Sequence, residues 1–486
     1  MRPVVIAACL LLLAPITDSW WASGSAVILD PRMVCKKNRR TRGRLAQICR
    51  NETGLIKEIT KGVTLGATEC AHQFRNRRWN CTTQRRSMRK ILMRGSEGEI
   101  LAMYYRKELK KKRIFLALNF SLIRKYGYPC EIHRVYTEYG YILEMHRVPH
   151  GAHDDRNEPR PVVFLQHGLL SSSAEWILMK PGKGLAYVLA DHGYDVWMGN
   201  ARGNTYSRRH ISMKPTSSSF WKFSWHEIGY YDLPAMIDYV LRETGVAKVQ
   251  YIGFSQGTTA FWVMTSSRPE YNDKISAMHA LAPVAYIPNI KSPLIKAIGP
   301  FTNSLEVIFK LIGADEFLPN GKMNELAGQK MCIEEALTQV LCTNLLFLIC
   351  GYNIDQLNKT MLPVVMGHTP AGASTRQMIH FGQSYNSGEF RHFDHGWLKN
   401  KLIYGSFKPP AYNLNAIRTP IFLHYADNDW LSTPKDVDRL SKDIKSVVGK
   451  FRVAMPEFNH LDFVFAINAT EIVYHRILNI MQVFDE

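Results

Sequence analysis

The chain has 486 residues and a formal net charge of +19, and this charge is confined to its N-terminal part. Residues 22–125 contain 26 Lys and Arg against 7 Asp and Glu, whereas residues 126–486 contain 34 of each. No apolar stretch after residue 19 reaches the length of a membrane span, which argues against a transmembrane protein. The basic block favours nucleic acid, sulfated glycans or acidic lipid as partners, with a solvated basic face without a dedicated partner as the alternative.

Residues 1–19 form the first predicted element, a signal peptide. Arg2 provides a short positive start, and the apolar run 4–13 is too short to span a bilayer. We therefore expect the mature chain to be secreted or lumenal. This route disfavours nucleic acid and leaves an anionic glycan or acidic lipid as the partner of the basic segment. Five N-x-[ST] glycosylation acceptors are compatible with it: Asn51, Asn80, Asn119, Asn358 and Asn468.

Eight cysteines remain when Cys9 of the signal peptide is discounted. Four lie in the basic segment and four in the neutral part: Cys35, Cys49, Cys70 and Cys81, then Cys130, Cys332, Cys342 and Cys350. Even numbers in an oxidising compartment indicate disulfides, but four cysteines in each part leave the connectivity open. No pair has zinc-ligand spacing with histidines nearby, so we expect no metal site.

The basic segment carries motifs of its own between residues 20 and 94. The telling stretches are residues 20–21, 33–35, 48–50, 62–66 and 69–82. In them the segment resembles the N-terminal helical part of a Wnt signalling ligand, and the resemblance implies a Cys70–Cys81 disulfide. It ends near Arg94, because the acylated serine hairpin and the cysteine-rich C-terminal domain of that family have no counterpart here.

Residues 95–125, with the basic run 110–113, match neither part of the chain and are predicted to form a junction. A Wnt-like fragment of this size should bury too little core to act as a signal by itself. Joined exons of two neighbouring genes would also explain such a chain.

A predicted buried strand at residues 161–165 is followed by Gln166-His167-Gly168-Leu169. A loop after an early strand can supply one backbone N–H donor to an oxyanion, and Leu169 is the candidate for that role. We expect His167 to pack beneath the loop, because a second base has no function in the mechanism given below.

The pentapeptide Gly253-Phe254-Ser255-Gln256-Gly257 follows a β-branched run and precedes a helix-like stretch. G-x-S-x-G at a strand-to-helix turn is a nucleophile elbow, in which small residues let the backbone turn sharply and expose the serine. The N–H of Gln256 would be the second oxyanion donor. Because a serine hydroxyl is a poor nucleophile by itself, the motif requires a histidine and a carboxylate.

Two further predicted strands deliver those groups. A strand at 419–425 ends in a loop that contains Asp429, and a strand at 451–455 ends in a loop that contains His460. Taken alone, Asp429 would more readily cap the helix that starts near Pro434, and His460 would be an ordinary loop histidine. The order Ser, Asp, His, with each at a strand end, instead favours an α/β-hydrolase triad.

From about Tyr126 to the end, the chain resembles the acid lipase family of gastric and lysosomal lipases. The matching stretches are residues 126–129, 139–143, 165–170, 195–204, 223–229, 428–431 and 459–463. The resemblance implies Ser255 as nucleophile, Asp429 and His460 as its partners, and Leu169 and Gln256 as oxyanion donors. It makes Asp427 a bystander, since the family's acid directly precedes the Trp-Leu pair.

The same resemblance implies an α/β fold with a mainly parallel sheet and a helical cap insertion at residues 284–410. The apolar faces of this cap could form core, line an acyl pocket or meet a lipid surface. The family pattern favours a Cys332–Cys342 disulfide and leaves Cys350 as a buried thiol. Phe254 stands where the family commonly has histidine, and we expect this to alter packing without removing activity.

The sequence as a whole predicts a secreted or lumenal serine lipase that hydrolyses neutral-lipid esters, triacylglycerol or cholesteryl ester, through an acyl-enzyme. No cofactor is expected. The alternative is an extracellular interaction protein of the Wnt type with a lipase-like body. The complete set Ser255, Asp429 and His460 favours the lipase, and the missing acylation hairpin argues against the alternative.

Overall fold

The computed structural model describes residues 119–154, 158–318 and 339–485. The signal peptide, the Wnt-like segment, Asn51, Asn80 and the Cys70–Cys81 pair lie outside the described residues, as does Cys332 of the second predicted disulfide. Cys130 and Cys350 are buried free thiols, the latter as expected.

A mixed sheet forms the centre of the fold. The strands of the described residues are β1 Glu131–Tyr136, β2 Tyr141–Val148, β3 Val162–Gln166, β4 Asp195–Met198, β5 Arg209–His210, β6 Val249–Phe254, β7 Ile275–Leu281, β8 Glu316–Phe317, β9 Ala373–Ser374, β10 Ile421–Tyr425 and β11 Val447–Arg452. The sheet has the strand order β1-β2-β4-β3-β6-β7-β10-β11, with β5 paired to β2. The pairs that involve β2 are antiparallel, and the six strands from β4 to β11 are parallel, as predicted.

The central strands are buried on both faces. Along β3, Val163 and Leu165 belong to one hydrophobic core and Val162 and Phe164 to the other. Continuous apolar strands of this kind occur where helices cover both sides of a parallel sheet. This explains why β3, β6 and β10 were recognisable in the sequence.

The position predicted for the last strand was wrong. The strand was expected at 451–455, but β11 spans Val447–Arg452. As an edge strand it alternates half-buried and exposed residues, with Gly449 and Lys450 in its middle. It therefore lacks the apolar run by which the central strands were found.

Helices cover both faces of the sheet and form the cap. They are α1 Asn119–Lys125, α2 Leu185–Asp191, α3 Trp225–Glu227, α4 Leu233–Thr244, α5 Gln256–Ser267, α6 Pro293–Ile298, α7 Thr302–Leu311, α8 Gln339–Cys350, α9 Leu362–His368, α10 Thr375–Ser387, α11 Trp397–Tyr404, α12 Pro434–Asp443, α13 Asp462–Phe465 and α14 His475–Met481. Leu122 and Ile123 of α1 are buried in the core beside α2 and α14. The packed unit thus includes residues assigned above to the junction.

The long insertion lies between β7 and β10, which are parallel neighbours with Met278 opposite Ile421. It contains α6 to α11 and the two-stranded ribbon β8–β9. Its helices include α7 at Thr302–Leu311 and α8 at Gln339–Cys350. Across the described ranges, no helix has the length and apolar character needed to cross a membrane.

Two histidines face each other inside the sheet. His279 of β7 and His424 of β10 are fully buried, with 3.3 Å between Nδ1 of His279 and Nε2 of His424. Their rings stack with Phe422 and Phe451. Because burial disfavours the charged imidazolium, the pKa of His279 falls to about 3 and that of His424 falls well below its ordinary value.

This pair should make the protein acid-sensitive. An unfolded histidine titrates near 6.5, so the stability from the neutral pair is complete above that pH and is lost as the pH falls toward the folded-state pKa. As the pH falls from about 7 to about 5, each of the two histidines should lower the free energy of unfolding by about 2 kcal/mol. The variant His279→Leu/His424→Leu should lose less free energy of unfolding over this range, as measured by urea denaturation.

His475→Leu, which changes an exposed histidine, serves as the control and should keep the wild-type dependence. An unchanged acid loss in the double variant would show that the buried pair does not titrate on unfolding.

Candidate active site

The turn between β6 and α5 places Ser255 in a strained backbone conformation. Its φ of 50° and ψ of −115° are rare for a residue other than glycine. The Ser255 N–H donates to the carbonyl oxygen of Leu281 at 3.0 Å, and its own carbonyl accepts from the Thr258 N–H at 2.9 Å. These bonds hold the turn in the form expected of a nucleophile elbow.

The two glycines of the pentapeptide are needed for close approach. A Cβ at Gly257 would overlap the carbonyl oxygen of Gln166, and one at Gly253 would lie 3.0 Å from the carbonyl oxygen of Gly257. The loop after β3 and the start of α5 are therefore in backbone contact. This contact brings the predicted oxyanion loop beside Ser255.

Ser255, His460 and Asp429 form a continuous hydrogen-bonded chain. His460 Nε2 lies 2.8 Å from Ser255 Oγ, and His460 Nδ1 lies 2.8 Å from Asp429 Oδ2. Asp429 is fully buried and His460 nearly so. A carboxylate can only accept here, so Nδ1 carries the proton and Nε2 is free to accept from the serine hydroxyl. The fold thus brings together the three residues that the sequence singled out.

Asp429 is itself fixed by its loop. Its Oδ1 accepts from the N–H groups of Leu431 at 2.9 Å and Ser432 at 2.7 Å. It does not cap α12, because the Thr433 side chain fills that position. The alternative reading of Asp429 as a helix cap was therefore wrong.

Asp427 lies two residues away and has a different environment. It is partly exposed and pairs with Arg452 at 3.0 Å at the surface. This location agrees with its reading as a bystander.

The loop after β3 lies against the elbow. A Cβ on Gly168 would lie 3.4 Å from Cβ of Ser255. Among the described residues, no protein atom accepts a hydrogen bond from the N–H of Leu169 or Gln256. Gln256 also begins α5, where unpaired N–H groups and the helix dipole favour negative charge. Both N–H groups are therefore free of protein acceptors within the described residues, on the two segments that meet at Ser255.

His167 supports this loop from within. It is buried, its Nδ1 donates to the carbonyl oxygen of Gly168 at 2.8 Å, and its Nε2 accepts from the Ala201 N–H at 3.1 Å. Burial lowers its pKa to about 4, so it stays neutral over most of the physiological range. His167 is thus a structural residue, as expected.

Glu175 is a contributor to the loop that sequence reasoning missed. It is buried, and its carboxyl oxygens lie 3.3 and 3.5 Å from the Gly168 nitrogen. Burial raises its pKa to about 8. The available signal was a single acidic residue between apolar neighbours, Ala174 and Trp176, which is too weak to locate it under an oxyanion loop.

The cap also contacts the loops that carry the histidine and the aspartate. We call residues 350–353, which start at the last residue of α8, the 350–353 clamp. The carbonyl oxygen of Cys350 accepts from the N–H of His460 at 3.3 Å and of Trp430 at 3.4 Å. Asn428 donates to the carbonyl oxygen of Tyr352 at 2.7 Å. Both triad loops are therefore tied to the end of one cap helix.

Asn353 completes the clamp. Its amide donates to Asp462 at 2.7 Å, and the same Asp462 oxygen accepts from the Asn459 N–H at 2.7 Å. Burial raises the pKa of Asp462 to about 7. Sequence reasoning treated the clamp only as the end of a cap helix, because contacts between the cap and the C-terminal loops leave no local pattern.

Phe254 packs between the two halves of the site. Its ring lies 5.1 Å from the His460 ring, and a Cβ on Gly168 would lie 3.0 Å from it. It is buried and carries no titratable proton. The expectation of altered packing at this position fits these contacts.

An apolar cavity opens beside the His460 loop, between it and the cap helices α8 and α9. Its polar lining residues are Asn353, Asn358, Asn459 and Asp462, and the rest of the lining is apolar: Met179, Leu346, Phe347, Leu357, Met361, Leu362, Val365, Leu461 and Phe465. Its walls combine the cap and the hydrolase body, but neither Ser255 nor His460 lines it.

Sequence comparisons agree with this geometry. The model of a partial alpha/beta-hydrolase lipase region matches residues 120–180, and that of the alpha/beta hydrolase fold matches residues 161–312. Sheet order, elbow and hydrogen-bonded Ser-His-Asp set together define an α/β hydrolase.

Three relatives show which family of α/β hydrolases the chain belongs to. The chain is 47% identical to Lipase 3 of Drosophila melanogaster over 74% of its own length and 91% of the relative's. It is 42% identical to the gastric triacylglycerol lipase of Bos taurus, over 75% and 91%. It is 40% identical to the human lysosomal acid lipase/cholesteryl ester hydrolase, over 74% and 90%. The chain therefore belongs to the acid lipase family and is an ester hydrolase.

The N-terminal resemblance is also found. The model of the wnt family matches residues 37–104, which extends past Arg94, where the resemblance was expected to end.

The 350–353 clamp provides a test of the site's architecture. Gly351 has a φ of +108°, and a Cβ there would overlap the carbonyl oxygen of Asn428. Gly351→Ala should displace the Asp429 loop and reduce kcat for ester hydrolysis by at least about tenfold, since small misplacements of catalytic groups are costly. Steady-state kinetics would measure this.

Gly193→Ala is the matched control, because Gly193 has a φ of +92° but no atom within 4 Å of the added Cβ. It should cost some stability and leave kcat unchanged. Equal effects of the two substitutions on kcat would rule out a role for the clamp in positioning the triad.

Proposed function

We propose that this protein is a serine-dependent lipase that hydrolyses carboxylic esters of neutral lipids, triacylglycerol or cholesteryl ester. The carrying observation is the chain of two 2.8 Å hydrogen bonds from Ser255 through His460 to buried Asp429. The relatives' names, gastric triacylglycerol lipase and lysosomal acid lipase/cholesteryl ester hydrolase, support a lipid substrate.

The geometry supports the following reaction. Ser255 Oγ attacks the ester carbonyl as its proton passes to His460 Nε2, and Asp429 stabilises the imidazolium that forms. The N–H groups of Leu169 and Gln256 donate to the oxyanion of the tetrahedral intermediate. When that intermediate collapses, His460 gives the proton to the leaving alcohol and Ser255 is acylated.

Deacylation repeats these steps with water. His460 takes a proton from the water as it attacks the acyl-enzyme, and then returns a proton to Ser255 as the fatty acid leaves. All groups involved belong to the described residues, and no cofactor enters a step.

The cellular setting belongs to the same proposal. The signal-peptide pattern at residues 1–19 and the gastric and lysosomal relatives support secretion or delivery to the lysosomal lumen. The basic segment 22–125, with a net charge of +19, would bind anionic glycans or acidic lipid there. The exposed side chain of Asn468 suits a glycan, and Asn358 is half-buried.

Replacing the nucleophile tests the proposal. Ser255→Ala should reduce fatty-acid release from emulsified triacylglycerol and cholesteryl ester by at least about a thousandfold, because the acyl-enzyme forms on the Ser255 hydroxyl. Titration of the released acid measures it. Ser267→Ala, at the far end of the same helix, is the control and should keep wild-type activity. Retained hydrolysis in Ser255→Ala would refute serine dependence.

The two aspartates of one loop offer a matched comparison. Asp429→Asn would keep the size and planar shape of the side chain. It could present an NH₂ donor in place of an acceptor oxygen to His460 Nδ1, so kcat should fall to about one part in 10⁴ of the wild-type value. Asp427→Asn breaks only a surface ion pair and should change kcat little. A large loss from Asp427→Asn with little loss from Asp429→Asn would reverse the assignment.

A further inference from the structure

A short helix of the cap projects large apolar side chains into solvent. On α11 and the turn after it, five such side chains have exposed fractions of 54 to 86%: Trp397, Leu398, Leu402, Ile403 and Phe407. Single exposed apolar residues are ordinary on protein surfaces, but a contiguous group marks an interaction site. We call residues 397–407 the 397–407 projection.

The 397–407 projection is held firmly on its inner side. Asn400 is buried, and its side chain accepts from the His395 N–H at 2.9 Å and donates to Asp394 at 2.8 Å. It also donates to the carbonyl oxygen of Phe407 at 3.1 Å, which closes the turn onto the helix. Because Asn400 is hydrogen-bonded to residues before the helix and to one after it, the backbone that carries the exposed side chains is held in place.

Helical spacing places the leucines opposite this anchor. Tyr404, four residues after Asn400, shares its inner side and donates its hydroxyl to the carbonyl oxygen of Phe393 at 2.9 Å. At 100° per residue, Leu402 lies on the reverse side of the helix, with Leu398 one turn before it. Leu402, at 86% exposure, is thus the outermost apolar group of the projection.

Basic residues accompany the apolar ones. Lys399, Lys401 and Lys408 are exposed, and residues 396–411 contain no acidic side chain. Lys401 Nζ lies 5.4 Å from the Phe407 ring and donates to the carbonyl oxygen of Gly405 at 2.9 Å. Apolar residues with tryptophan on one side and lysines around them are typical of helices that lie in a lipid–water interface.

We propose that the 397–407 projection docks this protein on a lipid surface that carries anionic groups, with Leu398 and Leu402 inserted among the acyl chains. The lysines would then lie at the level of the headgroups or of carboxylates, their long stems reaching along the apolar surface. Two copies packed face to face would bring their lysines together, so like-charge repulsion disfavours self-association through this surface.

The choice of a lipid surface rests on the proposed lipase function, because hydrolysis there releases fatty-acid carboxylates. Adsorption itself requires no catalysis. The two proposals can therefore fail independently.

The test compares adsorption of full-length variants to a triacylglycerol emulsion stabilised with phosphatidylcholine. High salt screens the basic N-terminal segment, so that apolar contacts dominate the measurement. Leu398→Ser/Leu402→Ser should weaken the partition coefficient by about tenfold or more relative to wild type, since each leucine loses its transfer into the acyl region. Centrifugal flotation measures the bound fraction.

Val448→Ser/Val483→Ser is the matched control, since these side chains are 65% and 71% exposed on other parts of the surface. It should adsorb within about twofold of wild type. Thermal unfolding of both variants checks that the exposed substitutions leave the fold intact. In low salt, adding phosphatidylglycerol to the emulsion should strengthen wild-type adsorption more than that of Lys399→Gln/Lys401→Gln.

If Leu398→Ser/Leu402→Ser adsorbs with the same partition coefficient as wild type, the proposal is overturned. So would a change from dimer to monomer in that variant on gel filtration, because the projection would then bind a second copy. If the leucine variant alone loses adsorption while wild type lacks hydrolysis, the docking surface stands and the lipase assignment falls.

Discussion

The site depends on one backbone constraint, the left-handed turn at Ser255 between β6 and α5. Such a turn is costly for serine and is kept only where its surroundings determine it. Here the absence of side chains at Gly253 and Gly257 lets the helix start contact the loop after β3. The same contact that permits the turn therefore brings the loop with the proposed oxyanion donor Leu169 beside Ser255. Sheet order then places His460 and Asp429, which follow the two outermost parallel strands, at the same edge.

Buried titratable groups surround this arrangement and set opposing limits. Glu175 beneath the oxyanion loop and Asp462 beside His460 have raised pKa values, so their burial costs stability as the pH rises from about 4 toward 7 or 8. The buried histidines of the sheet cost stability as the pH falls below about 6.5. The carboxyl groups and the histidines therefore change the free energy of unfolding with pH in opposite directions.

Much of this was predictable because it is local in sequence. The buried strands β3, β6 and β10 are visible in the sequence as apolar runs, and Ser255, Asp429 and His460 follow strand ends in a recognisable order. The edge strand β11 was misplaced because solvent on one side removes the apolar signal. The roles of Glu175 and of the 350–353 clamp were not predicted. Glu175 contacts Gly168, and the clamp contacts the C-terminal loops, only through tertiary packing, which leaves no local pattern in the sequence.

The assignment of Ser255 as the nucleophile of an acyl-transfer site is tested most directly with a long-chain alkyl phosphonate ester, which reacts covalently with activated serines. We expect hydrolysis to be lost in step with the addition of one phosphonyl group per chain, and peptide mass spectrometry to find this group on Ser255. Complete inactivation with the group on another residue, or full activity of protein phosphonylated at Ser255, would contradict this assignment.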